Sequence, residues 1–288
     1  MNLCNRSDVQ ALLARHGFRF SKSMGQNFLM DAAVPVRIAE AAGLSSSVGV
    51  LEIGPGIGAL TVELTQRAGR VTAVELDRAL LPLLAETLAP YPNTDVIHGN
   101  ILQQDLRELI ARVFPGLTPV VCANLPYNIT SPVLTHLIEA DCFRRITVMV
   151  QREVALRICA APGTADYGAF SVYMQYHMQP ELLFDVPPES FLPAPKVTSS
   201  VITMTPYETK PVSVQNETLF FRVVKAAFGQ RRKTLPNALL AAFGGQLTKS
   251  DLQQILSACG LPLDIRGERL DLAAFAAVTE QIQSALSV

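Results

Sequence analysis

Four consecutive residues, Asn124-Leu125-Pro126-Tyr127, bring together a side-chain carbonyl, a backbone carbonyl, a rigid turn and an aromatic ring. This combination suits methylation of an adenine amine. The lone pair of that nitrogen is delocalised into the ring. An acceptor on each amine hydrogen favours a pyramidal, more nucleophilic nitrogen. The Asn124 side-chain carbonyl can accept from one hydrogen and the Leu125 backbone carbonyl from the other. Pro126 stiffens the turn that aims them, and Tyr127 offers a face on which a base can stack. No strong general base is required, because the amine proton becomes acidic only as the methyl group arrives.

A second constellation lies upstream. The run Gly54-Pro55-Gly56-Ile57-Gly58 follows a β-branched stretch and precedes a helical pattern. Glycines on such a strand-to-helix turn let the backbone approach a ligand closely, and the helix beyond presents unpaired amides. Glu75 ends the next strand pattern, where a carboxylate can accept from both ribose hydroxyls. Gly54, Gly56 and Ala59 equally satisfy the dinucleotide pattern, so a nicotinamide or flavin enzyme also fits these residues. Glu52, two positions before the glycines, leans toward S-adenosylmethionine. A carboxylate there suits a cationic amino-acid tail and repels a pyrophosphate.

The elements that must position these groups follow from periodicity. Strand patterns at 48–53, 71–75, 95–98, 120–124 and 146–150 alternate with helical patterns. That alternation predicts a parallel, doubly wound α/β sheet with ligands at the carboxyl ends of its strands. After Pro162-Gly163 a helix is predicted over 169–177, then strands over 182–186 and 197–205, completing a seven-stranded sheet with a hairpin at one edge. The proline-rich stretch 187–195 between those two strands is too constrained for a central strand. A linker follows at 206–216, and beyond it four helices are predicted, over 219–228, 235–243, 250–259 and 272–286. Ser250 with Gln253 fits a capping box. The expectation is two domains, 1–206 with an N-terminal arm and a small all-helical domain at 207–288.

Composition narrows the classes. The chain has 288 residues, 49% of them hydrophobic and 17% charged, with a formal net charge of −1. That is ample for a core, and it excludes a protein that coats nucleic acid by bulk charge. Its five cysteines are scattered, with no metal-knuckle or redox spacing. The four histidines form no cluster, so no metal is expected. No apolar run reaches the ~18 residues that spanning a bilayer needs, and no secretory pattern opens the chain, so a cytoplasmic enzyme is expected.

The motifs resemble a known family. Asn124 to Tyr127 looks like the catalytic segment of adenine amino-methyltransferases. Its extension Asn128-Ile129-Thr130-Ser131-Pro132 resembles the ribosomal RNA adenine dimethyltransferases. Gly25-Gln26-Asn27-Phe28-Leu29 is similar to that family's cofactor-covering arm. Phe191-Leu192-Pro193-Ala194-Pro195-Lys196-Val197 is similar to its second aromatic motif. Phe228-Gly229-Gln230-Arg231-Arg232-Lys233-Thr234-Leu235 resembles its small-subunit, A-type branch. The resemblance runs from about Ser21 to Phe275.

It implies a Rossmann-like class I methyltransferase domain, with the helical domain closing one side of an RNA cleft. The implied cofactor is S-adenosyl-L-methionine. Asn27 and Leu29 would contact it from the arm, Gly54 would lie against its methionine portion, and Glu75 would hold its ribose. Asn100 stands where the family usually has an aspartate for the cofactor's adenine, and its amide oxygen is expected to accept that hydrogen bond. Asn124 would serve both pockets. Tyr127 and Phe191 would sandwich the target base, with Phe191 on a rigid exposed loop set by Pro187, Pro188, Pro193 and Pro195. Arg222, Lys225, Arg231, Arg232 and Lys233, with no acidic residue among them, would contact phosphates. The implied substrate is a pair of adjacent adenosines in the terminal hairpin loop of small-subunit rRNA within the pre-30S particle. Each would be dimethylated as part of ribosome biogenesis.

Overall fold

The computed structural model describes residues 1–20 and 25–287; Ser21, where the resemblance begins, lies outside them. Helix α1 (Arg6–Arg15), the two-residue strand β1 (Phe28–Leu29) and helix α2 (Ala33–Ala41) form the N-terminal arm. The side chain of Asn5 caps α1, accepting from the amides of Ser7 and Asp8. Strand β2 (Val48–Ile53) then enters the core and is buried along its whole length. It is followed by α3 (Ala59–Thr65), β3 (Arg70–Glu75), α4 (Leu81–Leu88), β4 (Thr94–His98), α5 (Leu106–Val113), β5 (Thr118–Asn124), α6 (Thr130–Ala140) and β6 (Ile146–Gln151). Near-continuous apolar strands separated by helices are the mark of a sheet covered on both faces.

Helices α7 (Arg152–Cys159) and α8 (Ala169–His177) lead to β7 (Met178–Val186), β8 (Phe191–Leu192) and β9 (Ser199–Pro206). The seven-stranded sheet has the order β4-β3-β2-β5-β6-β9-β7. Strands β2 to β6 pair in parallel, whereas β9 pairs antiparallel to β6. The order reverses at β2, whose neighbours are β3 and β5. Its carboxyl end is therefore the switch point where this architecture binds ligands.

Four further helices complete the chain: α9 (Glu217–Gly229), α10 (Leu235–Phe243), α11 (Lys249–Ala258) and α12 (Leu272–Leu286). The capping box on α11 is formed by Thr248 and Asp251, not by Ser250 and Gln253. The helix starts one residue earlier than predicted, and the threonine–aspartate pair satisfies the amides of Asp251 and Thr248.

The chain divides into two compact units, 1–155 with 181–206, and 156–180 with 207–288. This corrects the assignment of all of 1–206 to one domain. In the second unit, Val172 and Tyr176 of α8 join Phe220 and Val223 of α9 and Phe275 of α12 in one apolar cluster. The buried Tyr167 hydroxyl donates to the Leu270 carbonyl at 2.9 Å. Burying each such side chain contributes roughly 1.5–3 kcal/mol. Contacts made across such separations leave no trace in local periodicity.

Candidate active site

The site is built at the carboxyl ends of β2, β3, β4 and β5. Leaving β2, the chain takes positive φ at Gly54 (67°) and again at Gly56 (62°), a region L side chains rarely occupy. The Gly54 amide donates to the Val74 carbonyl at 3.0 Å, tying the turn to β3. At Gly56 a β-carbon would come within 3.2 Å of the Phe28 ring, so the arm packs directly on the glycine backbone. A β-carbon on Gly54 would face Pro126 at 3.6 Å. The glycine turn and the turn after β5 are thus adjacent, because β2 and β5 are neighbours in the sheet. Between them opens a cleft of about 900 Å³, part of it open to solvent. Its lining includes Asn27, Gly54, Glu75, Asn100, Asn124 and Tyr127.

Asn124 is the last residue of β5. Its side-chain Nδ2 donates to the Asn27 carbonyl at 3.4 Å, which turns the amide nitrogen toward the arm. Its Oδ1 remains as the acceptor. The Leu125 amide donates to the Met149 carbonyl of β6 at 3.1 Å, and the Leu125 side chain is 1% exposed. Pro126 follows in an extended conformation. The backbone that aims these carbonyls is thus anchored on both sides. The Tyr127 hydroxyl bonds to Ser199 Oγ at 2.6 Å, holding the half-buried ring in place. Burial raises its phenol pKa and keeps it neutral.

On the other flank, the Glu75 carboxylate accepts from the Asp77 amide at 2.7 Å. Burial raises its pKa, and backbone amides partly counter the effect. Asp77 in turn accepts from Gln26 of the arm at 2.6 Å. Glu52 is 1% exposed, and burial pushes its pKa up to about 8. Its Oε2 is buried without a hydrogen-bond partner. It borders a small cavity that adjoins the cleft and shares Asn27, Gly54 and Asn124 with it. A buried carboxyl oxygen without a partner can take a hydrogen-bond donor, and an amino-acid ammonium beside the glycine turn would satisfy it and favour the ionised form. The donor set therefore fits S-adenosylmethionine.

One of the predicted placements is corrected. Phe191 is not on an exposed loop: it is 1% exposed, packed with Leu29, Val34 and Ile38. The proline-rich stretch folds back so that β8 pairs antiparallel with β1, Phe191 opposite Leu29. The Met30 amide adds a bond to the Ser190 carbonyl at 2.7 Å. The ring therefore fastens the arm to the sheet unit and cannot stack on a substrate base. Leu29 turns its side chain into that core and borders the small cavity beside Glu52.

The basic segment also separates into two kinds. Arg222 donates to the Ala242 carbonyl at 2.7 Å, with its guanidinium 4.2 Å from the Phe243 ring centroid. Arg231 donates to the carbonyls of Ala165 and Tyr167, both at 3.1 Å, and lies 3.8 Å from Glu268. Both brace the helical unit. Lys225, Arg232 and Lys233 are exposed.

Sequence reasoning missed Ser199, the partner of Tyr127, because 72 residues separate them and no motif joins them. It also missed Leu76, Leu80 and Ile101, the apolar lining beside Glu75 and Asn100. Among the described residues no group of side chains could hold a metal, and no helix is long and apolar enough to cross a membrane.

Comparisons with known proteins agree with this geometry. The family model for ribosomal RNA adenine dimethylase matches residues 17–276. The chain is 45% identical over 277 residues to a ribosomal RNA small subunit methyltransferase A of Geobacillus thermodenitrificans, covering 95% of this chain and 94% of that one. It is also 45% identical to one from Streptococcus gordonii, covering 99% of each. Among solved structures, a dimethyladenosine transferase from Plasmodium falciparum superposes with a TM-score of 0.74 at 25% identity, covering 89% of this chain and 98% of that one. The 23S rRNA methyltransferase ErmE superposes with a TM-score of 0.68 at 26% identity, covering 89% and 100%. The chain thus belongs to the ribosomal RNA adenine dimethylase family, as an rRNA adenine dimethyltransferase whose methyl donor is S-adenosylmethionine.

Proposed function

We propose that this enzyme dimethylates the 6-amino groups of two adjacent adenosines in the 3′-terminal hairpin loop of small-subunit rRNA. The observation that carries the reading is Asn124, which lines the cleft at the mouth of β5 with its amide nitrogen engaged by Asn27. The small subunit is favoured over the large one by identity. Relatives named for the small subunit stand at 45%, against 26% for the 23S enzyme.

Asn27, Glu52, Gly54, Gly56, Glu75 and Asn100 hold the methyl donor. When bound, it supplies an electrophilic methyl carbon on a sulfonium. Asn124 Oδ1 and the Leu125 carbonyl accept from the amine hydrogens and orient the nitrogen for in-line attack. Tyr127, steadied by Ser199, presents its ring to the base. The product of the first transfer keeps one hydrogen, so one acceptor suffices to orient the second. A loop substrate suits this chemistry, since unpaired bases swing out at little cost. Lys225, Arg232 and Lys233 contact the RNA backbone. On this reading the substrate particle is the assembling small subunit and the enzyme acts in the cytoplasm.

The test is to incubate the purified protein with methyl-labelled S-adenosylmethionine and unmodified small subunits, then map the label by nucleotide. Label on two neighbouring adenosines of the terminal hairpin is expected. Label on 23S rRNA, or on small-subunit adenosines elsewhere, would refute the assignment.

A further inference from the structure

We infer that Asn100 reads the base of the methyl donor by donating from its side-chain amide to a ring acceptor, not by accepting from the base's exocyclic amine. The inference rests on the reading above, in which this cleft holds S-adenosylmethionine.

The glycine turn, Glu75 and Asn100 close the adjacent strands β2, β3 and β4 in that order. Glu75 stands in register with His98, and Asn100 follows two residues on. A nucleoside whose ribose is held at Glu75 therefore carries its base toward Asn100, with Leu76, Leu80 and Ile101 as apolar lining.

The orientation of Asn100 is set from the other side. Its backbone is extended (φ −92°, ψ 118°), and its Oδ1 accepts the Leu102 amide at 3.0 Å, capping the 3₁₀ turn Ile101–Gln103. Such a cap fixes which amide atom is engaged. The atom left for the cleft is Nδ2, which can only donate. An adenine amine is also a donor and finds no complement at Nδ2, whereas the ring nitrogen beside it is an acceptor and does. The proposed bond thus differs from the expectation that the Asn100 oxygen accepts from the adenine amine. An aspartate would keep the cap with one oxygen and offer the amine an acceptor with the other. The asparagine thus exchanges the sense of the bond. It tolerates a base carrying a carbonyl in place of the amine, because that oxygen also accepts from Nδ2.

The experiment measures dissociation constants calorimetrically for S-adenosylhomocysteine and S-inosylhomocysteine. In the second a carbonyl replaces the amine and the ring nitrogen beside it carries a hydrogen, so the carbonyl oxygen becomes the acceptor for Nδ2. The native protein should bind the two within about fivefold of each other, since each offers Nδ2 one acceptor. Asn100→Asp should raise the preference for the adenine ligand by about tenfold or more, through a gained charge-assisted bond on one side and carbonyl–carboxylate repulsion on the other. Asn100→Ser keeps a capping oxygen and loses the amide, and should weaken both ligands by a similar factor of about threefold to tenfold. Thermal melts of each variant check that the fold is intact, and the serine variant carries the test if the aspartate variant does not fold. A native preference for adenine above about fiftyfold, or a serine variant that binds both ligands as the native protein does, would overturn the inference. If S-adenosylhomocysteine itself fails to bind, the cofactor reading falls first and this inference with it.

Discussion

Asn124 and Glu52 show how far single side chains carry the chemistry. With its amide nitrogen on Asn27, Asn124 offers an acceptor already in place before substrate arrives. Asn124→Ala should lower kcat by about a hundredfold or more, the scale on which one preorganised polar contact acts. Cofactor affinity should fall far less, because Gly54 and Glu75 remain. Methyl-transfer rates together with calorimetric cofactor binding separate the two effects, and near-native turnover would remove Asn124 from the mechanism. Glu52 makes a prediction in pH. Burial raises its folded pKa from 4.5 to about 8, so the folded protein holds a proton that the unfolded chain has released in that interval. The contribution of Glu52 to stability is therefore fullest below pH 4.5 and declines as pH rises toward about 8, by an amount on the order of a few kcal/mol. Glu52→Gln should flatten that part of the melting profile. An ammonium bound beside Glu52 would stabilise its ionised form, so cofactor binding near neutral pH should release a proton. Calorimetry in buffers of different ionisation enthalpy detects that release, and identical heats in all buffers would contradict it.

At the scale of elements, the arm and the proline-rich stretch act as one device. Strand β1 would be an isolated two-residue segment without β8, and β8 exists because the chain folds back after Pro188. Phe191 is the apolar pin between them. Phe191→Ala should cost about 3–5 kcal/mol of stability by opening a cavity, whereas Phe191→Leu should retain most activity. A Phe191→Ala protein with an unchanged Tm and a specific loss of base binding would restore the stacking role. Tyr127 has the opposite character: its ring is half-buried, borders the cleft and is tethered by its hydroxyl alone. Two aromatic residues from similar motifs thus divide into anchor and contact, according to which strand covers them.

For the whole molecule, electrostatics must be local, since the net charge is only −1. Lys225→Ala, Arg232→Ala and Lys233→Ala should each weaken RNA binding and reduce the slope of log K against log salt by about one unit or less, with little change in Tm. Arg222→Ala and Arg231→Ala should instead lower the Tm of the helical unit, because each leaves backbone carbonyls unsatisfied. Salt-dependent binding to a hairpin RNA, paired with melts, sorts the five. Equal salt slopes for all five variants, with no Tm change, would return Arg222 and Arg231 to the RNA surface.

Periodicity and motif spacing alone determined the alternation of strands and helices over 48–150, the glycine turn, and the segment from Asn124 to Tyr127. These are local properties: a buried strand needs a β-branched run, and a tight turn needs glycine. Helices α8, α10 and α12 were legible to the residue for the same reason. Tertiary structure decided everything that depends on who covers whom. It buried Phe191 under the arm, set Ser199 beside Tyr127, gave 156–180 to the helical unit, and turned Asn100 so that its oxygen caps Leu102. Each of these outcomes is a contact between groups that sequence does not place side by side. Burial and hydrogen-bond satisfaction are collective quantities, fixed only once the whole chain has packed.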